Sequence, residues 1–445
     1  MIRKLATLGL LSVALNSCLA PLRENEPAKR AALRPAVPTK RPIDSRKASL
    51  GSLSLSQALD FAKEHPHVRA ARERVLAAGG REDQAGRWRN PQFRAGFEAA
   101  PTGRSDVLGN AEYVIGVMQQ FPIGGRMGAA KEAARARLRV AQEELDRTVR
   151  RAQRDIKIAY LRVAVADRSR ELRRQQREWA REIARASRVA FDLGDISMEV
   201  LTRDQLSLAE ADTQLAYADV ERDESKAELS RAVAVDFEAI GGLVELSEPT
   251  ELRALEDVGS IAFRHPDARA ALGRLDELDA SLREARRRRV PDLQVAASYR
   301  RLSQQGVDSF DFGVAIPLPL FDRRSGAIAA AKANRAAAAD ELELVQIELR
   351  SRLLKLRARA RELSALLRLF DDTLLPRAKK LESLGEESQR VGELSRIEYL
   401  RARWARADLE LRRLGEFMGY ERVAAELGEF EESELIARDR DTVKG

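Results

Sequence analysis

The chain has 445 residues, 33% of them charged and only 5% aromatic, with a formal net charge of +8. Arg, Ala, Leu and Glu dominate, a mix that favours long helices over a sheet-rich globule. Acids and bases alternate along helix-like stretches, which describes a solvated helix surface and not a nucleic-acid-binding face, and a single cysteine excludes a disulfide framework or a thiolate metal cluster.

Residues 1–17 have the form of an export signal. Arg3 and Lys4 give a charged start, and Leu5 to Leu15 form an apolar run too short to span a bilayer as a helix. Leu15-Asn16-Ser17-Cys18 resembles the lipobox of bacterial lipoproteins, departing from it at Asn16. That resemblance implies that Cys18 is acylated and becomes the mature N-terminus. Leu19, in place of an aspartate, implies onward transport to the outer membrane. Residues 18–50, rich in Pro, Ala, Lys and Arg without periodicity, read as a flexible tether. No later segment reaches the ~18 uninterrupted apolar residues of a transmembrane helix. A membrane span therefore has to be built from strands.

The remainder reads as two copies of one unit, residues 51–240 and 241–430, followed by a polar tail at 431–445 expected to lack fixed structure. His65-Pro66 recurs as His265-Pro266, each opening a helical stretch, and Pro91 recurs as Pro291, each before an alternating segment. Three histidines scattered over the chain, with His67 the third, make no metal site.

Four segments alternate with period two, at about 92–100, 112–121, 292–301 and 309–318. Phe93, Ala95 and Phe97 alternate with Arg94 and Gly96, and Phe310, Phe312 and Val314 with Asp311 and Gly313. Segments of roughly this length fit strands crossing a bilayer, apolar side to lipid and polar side to a lumen. They fit equally two half-buried hairpins of a soluble domain. Four strands are too few to close a channel, whereas three chains supply twelve, so oligomerisation is expected.

After each strand pair comes a long helical pattern, from about Gly128 to Asp192 and from about Gly326 to Gln389. In the first, Leu138, Leu145, Val149, Ile156, Tyr160 and Val163 form a coiled-coil-like stripe. Sixty-odd residues at ~1.5 Å each give roughly 100 Å. Gly194 and Gly392 interrupt these patterns, and returning helices follow at about Glu199 to Val235 and Arg396 to Leu427. Two antiparallel helical hairpins are expected, the second kinked or broken at Pro376.

At this point the residues resemble the TolC-type outer-membrane efflux proteins, across about 52–430. Leu53-Ser54-Leu55-Ser56-Gln57-Ala58-Leu59 resembles the family's opening helix. Gln120-Phe121-Pro122-Ile123-Gly124-Gly125-Arg126 resembles the strand-to-helix junction of its heavy-metal-efflux branch. The runs Phe191 to Leu201 and Val391 to Leu400 resemble its two hairpin tips. The resemblance implies a mainly α fold with a small β part: long hairpins forming an α-barrel, and four strands per chain in a trimeric twelve-stranded membrane β-barrel. It implies a homotrimer spanning the outer membrane, contacting its lipid and extending into the periplasm. It implies a periplasmic adaptor and an inner-membrane pump as partners, commonly a proton-driven one of the RND type and sometimes an ATP-driven one. The chain is then a passive conduit, without cofactor and without enzymatic activity.

Carried over residue by residue, the tips around Gly194, Leu201, Gly392, Leu394 and Leu400 become the adaptor-docking sites. Glu398 matches an acidic position of the periplasmic gate; Arg401 stands where a second carboxylate would fall. In the first copy the tip counts one residue shorter, and Glu199 is the nearest acidic match. A solvated carboxylate favourable to a helix N-terminus explains Glu199 and Glu398 equally.

Arg87 and Arg89 precede the first strand, and four arginines at 286–289 precede the third. Beside a membrane they would meet phosphate headgroups; otherwise they are solvated helix ends. The competing reading of the whole chain is a soluble coiled-coil scaffold, which predicts no export signal, lipobox or bilayer-length strands. A phosphate loop, a Gly-x-Ser-x-Gly elbow and a metal-ligand cluster are absent from the sequence. Met118, Met127, Met198 and Met418 are scattered, so drugs, metal cations and secreted proteins all remain open as cargo.

Overall fold

The computed structural model describes residues 50–98, 112–235, 240–243, 249–250, 258–302 and 306–442. The export signal, Cys18 and the tether up to residue 49 lie outside the described residues; Leu50, its expected last residue, is already in the first strand. The first unit contains β1 (Leu50–Leu53), α1 (Leu55–Asp60), a 3-10 turn (Phe61–Glu64) and α2 (Pro66–Ala85). Then follow β2 (Gln92–Glu98), β3 (Glu112–Phe121), α3 (Arg126–Asp192) and α4 (Met198–Val233). The second repeats this order: β4 (Ile240–Leu243), α5 (Val258–Arg264), α6 (Pro266–Arg287), β5 (Leu293–Leu302), β6 (Val307–Ala315) and α7 (Ser325–Leu369). A π turn at Phe370–Leu374, α8 (Leu375–Val391) and α9 (Arg396–Thr442) complete it.

The duplicated His-Pro pairs start α2 and α6 in the same way. Proline takes the first helical position, where a missing N–H costs nothing, and the histidine is the N-cap. His65 Nδ1 accepts from the His67 N–H at 3.3 Å, and His265 Nδ1 from the Asp267 N–H at 3.1 Å.

β1 and β4 pair in parallel, Leu50 beside Ile240 and Leu53 beside Leu243, so the two units are joined where each begins. Each strand is only four residues long, and the sequence reading did not foresee them. Leu53, Ile156, Tyr160, Val163, Leu229 and Val233 form a buried cluster beneath β1, and the Tyr160 hydroxyl donates to the Leu53 carbonyl at 3.0 Å. Glu421 of α9, almost wholly buried, fixes the connection between the units by accepting from both the N–H and the hydroxyl of Thr250.

The other four strands form one antiparallel sheet in the order β2-β3-β5-β6. Its register sorts the two faces. Phe93, Val117, Ala297 and Phe312 lie in one row, and Ala95, Ile115, Tyr299 and Phe310 in the next, all on one face. The opposite face carries the row Arg94, Gly116, Ser298 and Asp311, together with Arg300, which pairs with Glu112 at 2.8 Å and Asp311 at 3.1 Å. Phe310 and Phe312 are 73% and 83% exposed. Among the described residues the apolar face covers no core, contrary to what a half-buried soluble hairpin requires. Ten residues at ~3.3 Å span roughly the apolar thickness of a bilayer. Both outer edges, on β2 and β6, have no partner strand among the described residues.

α3 is a single helix of 67 residues, roughly 100 Å long. Pro376 interrupts the corresponding helix of the second unit. Its missing N–H leaves a carbonyl of the previous turn without its helical bond, and the π turn immediately before it absorbs the mismatch. α9 does not stop near Leu427. It runs to Thr442, through part of the segment expected to be a structureless tail, because Glu, Ala, Leu and Arg sustain the helix there without a breaker. Among the described residues no helix is long and apolar enough to cross a membrane.

Candidate functional site

The two hairpin tips are built alike. At the end of α3 the Gly194 N–H donates to Phe191 at 2.9 Å and the Asp195 N–H to Ala190 at 2.8 Å. At the end of α8 the Gly392 N–H donates to Gln389 at 3.2 Å and the Glu393 N–H to Ser388 at 2.9 Å. Both glycines are left-handed, with φ of 82° and 85°, the C-terminal geometry that a Cβ resists. Each returning helix then begins on a serine cap, Ser197 or Ser395, three residues after its glycine. The expectation of a shorter first tip is therefore corrected. Counting from glycine to the nearest acid misled it, because the serine cap, not the acid, fixes where the helix starts. Val200, not Glu199, occupies the place of Glu398.

Glu398 closes a capping box. Its carboxylate accepts from the Ser395 hydroxyl at 2.8 Å and the Ser395 N–H at 3.1 Å, while its own N–H donates back to Ser395. These bonds, with Arg401 one turn on, hold the carboxyl below its usual range. Glu199 is exposed and pairs with Arg203 on its own helix at 2.6 Å.

Arg401 turns away from the capping box towards α4, where Asp204 lies 3.6 Å away. Asp204 is buried and also accepts from the Ser187 hydroxyl of α3. Beside it, Arg396 grips Glu182 of α3 with two bonds, at 2.7 and 3.3 Å, which holds its guanidinium more firmly protonated. Arg403 stacks on Trp179 of α3 at 4.7 Å. The second hairpin is thus tied to the first by three arginines within the first eight residues of α9. Asp204, Ser187 and Glu182 were missed because one polar residue among many on a helix gives no sign of a partner from another hairpin.

Leu201 and Leu400, expected to dock an adaptor, are 2% and 0% exposed. Leu400 packs into a cluster with Leu172, Trp179 and Ile183. Both are covered within the chain, Leu400 by α3 of the first hairpin, so each contributes to the packing of the tips. Leu394 is half-buried against Gly385. The apolar side chains the tips expose are Val189, Leu193, Met198 and Val391, from 58% to 72% exposed.

At the strand-to-helix junction, Gly124 and Gly125 are consecutive left-handed residues, and a Cβ on Gly124 would sit 2.8 Å from Val290. Arg126 pairs with Asp292 of the second unit at 2.8 Å. The motif therefore serves the turn. Among the described residues no group of three or more His, Cys, Asp or Glu is placed to hold a metal ion.

Residues 56–235 and 259–413 match the family model described as outer membrane efflux protein. Among curated proteins, the nickel-cobalt-cadmium resistance protein NccC of Alcaligenes xylosoxydans xylosoxydans is 26% identical over 306 residues, 69% of each chain. The nickel and cobalt resistance protein CnrC of Cupriavidus metallidurans is also 26% identical, over 66% of this chain and 69% of its own. The fold is similar to that of the Campylobacter jejuni CmeC outer membrane channel, with a TM-score of 0.70 at 15% identity over 84% of this chain and 85% of that one. It is similar too to the outer-membrane channel OprN, with a TM-score of 0.71 at 17% identity over 84% and 89%.

Proposed function

This chain belongs to the outer membrane efflux protein family, as a channel that spans the outer membrane and extends into the periplasm, and from that premise we propose that it is the trimeric exit duct of a tripartite metal-efflux system. One observation carries the trimer: a one-layer sheet with an apolar face, a polar face and two unpaired edges. Backbone donors on a strand edge tolerate no hydrocarbon, so the edges must meet other copies, and three copies close a twelve-stranded barrel. The helices repeat the edge logic. α4 exposes Leu206, Tyr217 and Val220 with Glu210 and Glu224 among them; α7 exposes Ile347 and Leu354 with Arg361 and Arg368. An acidic apolar stripe on one side and a basic apolar stripe on the other suit head-to-tail contact between copies.

Cargo reaches the lumen passively, and catalysis has no part in it. Divalent transition-metal cations are the proposed cargo, supported by the names of the similar proteins NccC and CnrC. Selection belongs to an inner-membrane pump, of the proton-driven RND type, and to a periplasmic adaptor that docks on the exposed residues of the tips. The arginine ties of α9 hold the entrance closed until the adaptor engages. Cys18 carries the lipid anchor.

Membranes from expressing cells, crosslinked and then solubilised, are expected to yield a trimer that conducts in planar bilayers. A soluble monomer without conductance would favour the coiled-coil scaffold. Deletion of the gene is expected to sensitise cells to nickel, cobalt or cadmium; sensitivity to drugs alone would reassign the cargo.

A further inference from the structure

The antiparallel register brings Gln92, Phe121, Leu293 and Ala315 to one end of the sheet, the end from which every connection to a helix leaves. All four connections carry arginine: Arg87 and Arg89 before β2, Arg126 after β3, the four at 286–289 before β5, and Arg323 with Arg324 after β6. Some of these guanidinium groups are engaged within the chain. Arg89 donates to Gln120 and Arg126 to Asp292, while Arg288 pairs with Glu284. Arg87, Arg286, Arg289 and Arg323 are exposed, and their side chains have no hydrogen bond or ion pair among the described residues. The carboxylates nearby are already committed, Asp292 to Arg126 and Asp322 to the Arg324 N–H.

The same level of the molecule exposes apolar side chains that a solvated helix end does not need. Phe321 is 100% exposed, Leu318 72% and Trp88 59%, with the Trp88 ring edge-on to Phe121. Unpaired cations beside aromatic and aliphatic groups, just below the apolar face of the sheet, match the layer where acyl chains give way to headgroups. Guanidinium binds phosphate oxygens two at a time, and its charge favours an anionic lipid over a zwitterionic one.

We infer that this ring of arginines is a binding collar for anionic phospholipid of the periplasmic leaflet, an inference that rests on the membrane-spanning role of the sheet. The full-length protein is purified, exchanged into nanodiscs of mixed phosphatidylethanolamine and phosphatidylglycerol, and the retained lipid is counted by native mass spectrometry. Phosphatidylglycerol is expected to be enriched about fivefold over its share of the mixture. The Arg286→Gln, Arg289→Gln, Arg323→Gln triple variant is expected to lose that enrichment while conducting as the parent does. No enrichment in the parent, or the same enrichment in the variant, overturns the collar. So does equal displacement of both lipids by inorganic phosphate, which marks a soluble-anion site. Enrichment lost in the variant, in a parent that never conducts, supports the collar and counts against the channel reading instead.

Discussion

Arg401 of the second hairpin lies 3.6 Å from Asp204 of the first, with the aspartate buried and the arginine 58% exposed. The pair is asymmetric. Asp204 keeps its Ser187 bond without Arg401, so loss of the arginine loosens the contact between hairpins and leaves the first hairpin intact. A half-exposed pair of this kind is worth about 1 kcal/mol, roughly a fivefold shift in an opening equilibrium. Arg401→Ala is expected to raise the open fraction of single channels by about that factor, and Arg401→Lys by less. Identical gating in both variants would show that the tie does not hold the entrance.

Glu398 is expected to act on the tip through its capping box. Its pKa is depressed in the folded tip, so its contribution is present above the ordinary carboxylate range and is lost as pH falls through the lowered value. The protection factor of the Ser395 amide, its exchange rate corrected for the intrinsic pH dependence, is expected to fall on acidification, and in Glu398→Ala at neutral pH. A protection factor indifferent to both changes would leave the carboxylate free for a role at the gate.

Gly194→Ala and Gly392→Ala are expected to destabilise equally, by about 1 kcal/mol each, because both residues are left-handed in matching turns. Gly80→Ala, inside α2 with open space where its Cβ would go, is expected to stabilise by roughly 0.5–1 kcal/mol. Thermal unfolding followed by circular dichroism in detergent reads all three. Unequal effects at the two tips would contradict their shared geometry.

Two neighbouring residues of β6 test the faces of the sheet. Phe312→Arg puts a charge against hydrocarbon at a cost of about 2–4 kcal/mol and is expected to keep the chain out of membranes. Asp311→Arg faces the other way, so the protein is expected to insert and to favour anions over cations in reversal-potential measurements. Equal insertion of both variants would contradict the assignment of the faces.

Cys18→Ser is expected to remove the N-terminal acyl groups, seen as a mass loss, with the barrel still inserted through its strands. An unchanged mass would mean that Cys18 is not the anchor.

Much of this architecture is written locally. Gly194 and Gly392 mark the tips because few other residues tolerate their φ, and His65-Pro66 and His265-Pro266 mark helix starts because cap and proline act within one turn. Alternation at 92–98 and 307–315 fixes which side chains share a face, and the register then gathers them into rows. What could not be read depends on distant partners. Leu201 and Leu400 look like other tip leucines until the opposing helix covers them. Asp204 resembles any helix acid until Ser187 and Arg401 meet it, and β1 has four residues whose meaning lies in β4, far along the chain.

The open edges of β2 and β6 also bear on how the protein reaches its place. A lone chain entering hydrocarbon would carry two rows of unsatisfied backbone groups, each costing several kcal/mol. The barrier to solitary insertion is therefore far higher than the barrier to entering as a closed ring. Assembly and insertion become one kinetic event, whose rate rises steeply with local concentration. A lipid anchor that confined chains to one plane would speed that step by crowding them, before any strand touched the bilayer interior.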